Sequence, residues 1–184
     1  MRTRQQSIYR YSELTGKAKD RAYDWIVEGM WDFTLEDLRE RFQETLTEAG
    51  FPKAEIEFSL GHVQGDGVTF NVKHLDLRTW LKAQGLVDKF RKLYDEDSLN
   101  IYVENLARGF NPPRVSVEPT YSPDREGEKL IASLEEVIQA NVNHLCRKMT
   151  DEGYEIIDFR QSEEEVREHA EANDYEFDDK GRPA

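Results

Sequence analysis

The residues best placed to do chemistry lie in one short stretch, Gly61-His62-Val63-Gln64-Gly65-Asp66-Gly67, where three glycines surround Gln64 and Asp66. Glycine spacing of this kind lets backbone amides come close to a ligand. The stretch is not a phosphate-gripping loop, because Gly67 leads into Val68-Thr69-Phe70 rather than into a Gly-Lys-Ser/Thr helix start. Nor is it a dinucleotide fingerprint, since no helix start follows to receive a pyrophosphate. A tight turn that simply requires glycine explains it equally well. His62, Asp66 and His74 supply three ligand types from which a metal-dependent hydrolase could be built, although their spacing matches no sharp metal motif. His144 and Cys146 are two apart on a predicted helix, point to different faces and make no dyad.

Two further groups offer charge. Arg108 and Arg114, with Lys73, Tyr102 and Phe110, flank predicted strand ends and supply cations and a ring for an anionic, aromatic ligand. Glu163, Glu164 and Glu165 are adjacent carboxylates, but a general acid or base needs burial or a close like charge, which an exposed run lacks. Their expected use is to meet a basic surface. The candidate binding set is therefore His62, Gln64, Gly65, Asp66, Gly67, Arg108, Arg114, Glu163, Glu164 and Glu165. No catalytic residue, resident metal or cofactor is expected.

The elements that must carry these residues follow from hydrophobic spacing. Ser7 to Tyr11 can open as a strand, and Thr15 can cap a helix whose stripe is Ala18, Ala22, Trp25, Ile26 and Met30. Thr34-Leu35-Glu36-Asp37 resembles a capping box and predicts a second helix, with stripe Leu35, Leu38, Phe42, Leu46 and Ala49, ended by Gly50 and Pro52. The period then falls to two: Ile56, Phe58 and Leu60, then Val68, Phe70 and Val72, predict a hairpin around the glycine-rich loop. Leu77 to Tyr94 reads as helix interrupted near Gly85. Leu99 to Leu106 and Arg114 to Tyr121 read as strands, the second ending or forming an edge at Pro119. The longest helix is expected from Glu126 to Asp151, stopped by Gly153, with a strand at Tyr154 to Phe159. Ser162 caps a short acidic helix through Ala172, and Tyr175 and Phe177 add a last extended piece. The expected fold is a single α+β domain over 1–184, with an antiparallel sheet of about four or five strands packed by helices, one of them long and in the C-terminal half. An acidic segment, 160–184, closes it.

Bulk composition narrows the functions. The chain has 184 residues, 38% apolar, with nine Phe, eight Tyr and three Trp, enough to close a core. Its net charge of −13 opposes sequence-independent binding to DNA or RNA. Thirteen acidic residues stand against four basic ones from Thr150 to Ala184, so basic surfaces are the natural partners of that end. One cysteine permits no internal disulfide and fits a reducing, cytoplasmic compartment. No apolar run follows the basic Met1-Arg2-Thr3-Arg4, and none is long enough to span a membrane.

The order of several segments adds a resemblance. Tyr9-Arg10-Tyr11-Ser12-Glu13-Leu14, Trp31-Asp32-Phe33-Thr34, Phe58-Ser59-Leu60, Gln64-Gly65-Asp66-Gly67 and Ala172-Asn173-Asp174-Tyr175-Glu176-Phe177-Asp178 resemble a family of small, mostly uncharacterised proteins encoded by bacteriophages. Where a serine commonly precedes the glutamine in that family, Val63 stands here. The resemblance implies a phage accessory protein in the bacterial host cytoplasm. Such proteins commonly disarm host anti-phage defence by stoichiometric binding, either masking a defence protein or sequestering a nucleotide-like signalling molecule. A metal-dependent hydrolase, or a virion structural or assembly factor whose long helix supports a homo-oligomer, are the alternatives.

Overall fold

A computed structural model describes residues 7–95, 98–105 and 109–184 and shows an α+β chain. The elements are β1 (Tyr9–Arg10), α1 (Gly16–Glu48), β2 (Glu55–Ser59), β3 (Gly67–Asn71), α2 (Leu77–Ala83), α3 (Arg91–Asp95), β4 (Leu99–Glu104), β5 (Arg114–Pro119), α4 (Arg125–Arg160), α5 (Glu163–Ala172) and β6 (Glu176–Phe177). They group into two compact units. The first holds residues up to Leu38 together with Glu155–Ala184, and the second is Arg39–Tyr154.

Two expected helix boundaries are absent. Thr34 does not start a new helix: its hydroxyl donates to the Met30 carbonyl at 3.0 Å, one turn back, and α1 runs on for 33 residues. That internal bond satisfies the buried hydroxyl without breaking the ladder. Gly50 does lie just past the helix, with φ +88°, and the Phe51 N–H donates to the Leu46 carbonyl. Gly153 is no stop either. It sits inside the 36-residue α4, where an added Cβ would come within 2.5 Å of Leu60 Cδ1 and 3.1 Å of Phe42 Cζ. Glycine is there for close packing, and the strand expected at Tyr154 to Phe159 is helix instead.

In the first unit, Tyr11, Leu14, Ala22, Ile26 and Met30 bury against Val166, Ala170 and Phe177. Trp25, expected on the buried stripe, is 39% exposed and meets the edges of Tyr175 and Phe177. β1 pairs antiparallel with β6. The acidic C-terminal segment is thus folded into this unit. Its last turn is organised by Asp178, which accepts from the Lys180 and Arg182 backbone N–H groups and from the Arg182 guanidinium.

In the second unit, β2 pairs with β3 and β4 with β5, both antiparallel, and a Val72↔Val103 bridge joins the two hairpins. The bridge carries two hydrogen bonds, of 2.8 and 3.0 Å. The Leu75 N–H adds one more bond to β4, to the Ile101 carbonyl at 2.9 Å, and Asp76 then caps the start of α2, its side chain accepting from the Arg78 and Thr79 N–H groups. Phe42, Leu46, Phe51, Phe70, Trp80, Ile101, Val103, Leu134, Ile138 and Val142 are buried here. Among the described residues no helix is long and apolar enough to cross a membrane.

Candidate functional site

The glycine-rich loop between β2 and β3 is built around one side chain. Asp66 Oδ1 accepts from the Ser59 hydroxyl at 2.8 Å, while Oδ2 accepts from the Gly61 N–H at 2.6 Å, the Val63 N–H at 2.9 Å and the Tyr154 hydroxyl at 3.2 Å. The Asp66 N–H closes the turn on the Val63 carbonyl. His62 takes φ +56° and its ring stacks on Tyr154 with centroids 4.5 Å apart. Gly65 takes φ +95° at the tip, and buried Gly67 lies where a Cβ would stand 3.0 Å from the Phe110 carbonyl. Val63 is 64% exposed, and Gln64 and Gly65 are exposed beside it.

This geometry sets the electrostatics. The Val63 N–H above all, with the Ser59, Gly61 and Tyr154 donors, holds the Asp66 carboxyl below its ordinary range. Burial, then the bond to Asp66, pushes the Tyr154 phenol up. An ionised carboxylate engaged by four donors is a weak general base and has little capacity left for a cation. His74 lies elsewhere, its ring 5.3 Å from that of Tyr102. Among the described residues no three His, Cys, Asp or Glu side chains gather to hold a metal, so His62, Asp66 and His74 form no such set.

The charged candidates separate. Arg108 lies outside the described residues. Arg114 is exposed at the start of β5, across from Glu104 in the ladder. The cavity beside Gly67, of about 280 Å³, is instead lined by Asp66, Phe110, Arg147, Thr150 and Asp151. Cys146 also borders it but is buried, which pushes its thiol up to about 12. The glutamate triplet opens α5, whose Ser162 cap accepts from the Glu165 N–H. Glu163 takes Lys19 at 2.5 Å and the Tyr11 hydroxyl at 3.0 Å, and these partners hold its carboxyl low. Glu165 binds Arg160 at 2.5 Å, and Arg160 also reaches Asp37 at 2.8 Å. Glu164 is exposed. The expected free acidic run is therefore largely used within its own unit.

Tyr154 and Arg147 are the site residues that spacing did not find. Tyr154 was hidden by the strand expected after Gly153. Once α4 is extended, Thr150 and Tyr154 stand one turn apart, and both meet the hairpin: Thr150 accepts from the Val68 N–H, Tyr154 donates to Asp66. Comparison with protein-family models, with curated proteins and with solved structures returns no match for this chain.

Proposed function

We propose that the protein acts by stoichiometric binding and not by turnover, as a phage accessory protein that masks a host anti-phage defence protein in the bacterial cytoplasm. The phage context rests on the resemblance of the sequence segments described above. The observation that carries the binding reading is the engagement of both Asp66 oxygens by four donors, which spends the most reactive-looking side chain on fixing a loop. A loop fixed in advance loses little further freedom on association, so its exposed tip, Val63 and Gln64, is suited to contact a partner. Sequestration of a nucleotide-like signal has less support: the cavity beside Gly67 is about 280 Å³ and carries two carboxylates, Asp66 and Asp151, against Arg147.

The test compares tagged wild type with Val63→Asp, both recovered from infected cells. The expected result is one host protein held in equimolar amount by the wild type and lost from the variant, whose melting temperature is unchanged. Turnover of a substrate by the pure protein, abolished by Asp66→Asn, overturns the reading. Cyclic nucleotides that raise the melting temperature would move it to the small-ligand form.

A further inference from the structure

The second unit presents two outer strand edges, and they differ. On β5 the outward N–H groups of Val115 and Val117 are taken by α4, donating to Gln139 Oε1 at 2.9 Å and Glu135 Oε2 at 3.3 Å. On β2 the outward groups are those of Ile56 and Phe58. This follows from β3, where Val72 exchanges hydrogen bonds with Val103 and the Val68 N–H donates to Thr150, so Gly67, Thr69 and Asn71 are the residues turned toward β2. Among the described residues no hydrogen bond reaches the Ile56 or Phe58 backbone.

That open edge borders a groove of about 850 Å³, which runs along α1 from Arg39 to Glu48 and includes Ile56 of β2. Glu40, Glu44 and Glu48 line it at intervals of four residues, one column of carboxylates with a step of about 6 Å. Side chains on one face of an extended peptide repeat at about 6.6–6.8 Å, close to the same step. Against these three carboxylates the groove sets one cation, Arg39, which lies over the Phe58 ring at 5.8 Å. Glu44 also has Arg41 at 3.7 Å and is 68% exposed.

We infer that this groove docks an extended, basic segment of a partner protein, which adds to β2 as a further strand and sets alternate Lys or Arg side chains against Glu40, Glu44 and Glu48. The inference rests on the reading of the chain as a binder and names the partner's chemistry, on a surface separate from the Val63 tip.

The probe is a labelled decapeptide of alternating Lys and Val, with alternating Glu and Val as control. Anisotropy should show binding of the first alone, weakened by salt. Glu40→Gln/Glu44→Gln/Glu48→Gln should weaken it about tenfold or more, and so should Ile56→Pro, which removes an outward N–H and leaves the β3 ladder whole. In the wild-type chain the peptide should slow hydrogen exchange at the Ile56 and Phe58 amides, a measurement that stands even if the proline variant does not fold. Absent binding at about 1 mM, undiminished binding by a folded Ile56→Pro variant, or protection confined to other amides overturns the inference. Val63→Asp should leave the peptide affinity unchanged, so failure here is distinguishable from failure of the tip.

Discussion

Replacing Asp66 with alanine leaves the Gly61 and Val63 amides, the Ser59 hydroxyl and the Tyr154 hydroxyl without their shared acceptor. The expected outcome is hydrogen exchange at Gly61 and Val63 faster by about tenfold or more, the scale of a lost charge-assisted bond, and a lower melting temperature. Asp178 gives a pH signature of its own in the other unit. The Arg182 N–H and guanidinium, with the Lys180 N–H, hold its carboxyl at about 2, against 3.8 ordinarily. A carboxyl depressed by folding adds stability above its unfolded value and loses it as pH falls through the folded one. Denaturant titrations should therefore show a loss between about pH 4 and pH 2 that is smaller in Asp178→Asn. The composition of the loop was legible, but not the bond from Tyr154 to Asp66, because the two residues are 88 apart. The pairing of Glu163 with Lys19 and Tyr11 was hidden for the same reason.

Among the elements, hairpins and helix stripes follow directly from periods of two and of three to four. The β2–β3 pairing places Ile56 opposite Phe70 and Phe58 opposite Val68. At the two expected boundaries that the structure lacks, Thr34 carries an ordinary start signal and Gly153 an ordinary stop signal, and both are overridden. In α1 the threonine hydroxyl turns back on the Met30 carbonyl, and in α4 the glycine makes room for Leu60 and Phe42. Gly153→Ala sets a helix gain of about 1 kcal/mol against overpacking of about 1–3 kcal/mol. Leu60 and Phe42 are both buried, so overpacking is expected to win, lowering the melting temperature by about 2–4 °C in thermal unfolding. In a double-mutant cycle, Leu60→Ala should cost less in the Gly153→Ala background than alone, because it vacates the space the new methyl needs.

Across the whole molecule the net charge of −13 acts in opposite directions on stability and on association. Self-repulsion in the folded chain is relieved by added salt, whereas attraction to a basic partner is screened. Raising sodium chloride from about 0.05 to about 0.5 M should increase the melting temperature while weakening the Lys-Val peptide; a fall in both would show that internal ion pairs such as Arg160 with Glu165 and Asp37 dominate instead. The first unit draws its core from both ends of the sequence, with Tyr11 bonded to Glu163 across 152 residues and β1 paired with β6. The second is continuous from Arg39 to Tyr154. During synthesis the ribosome thus delivers everything the second unit needs before the partners of Leu14, Ile26 and Met30 exist. Those apolar side chains must wait, uncovered, until Val166, Ala170 and Phe177 emerge from the exit tunnel, and a transcript cut short before them yields a nascent polypeptide that chaperones and proteases are built to recognise.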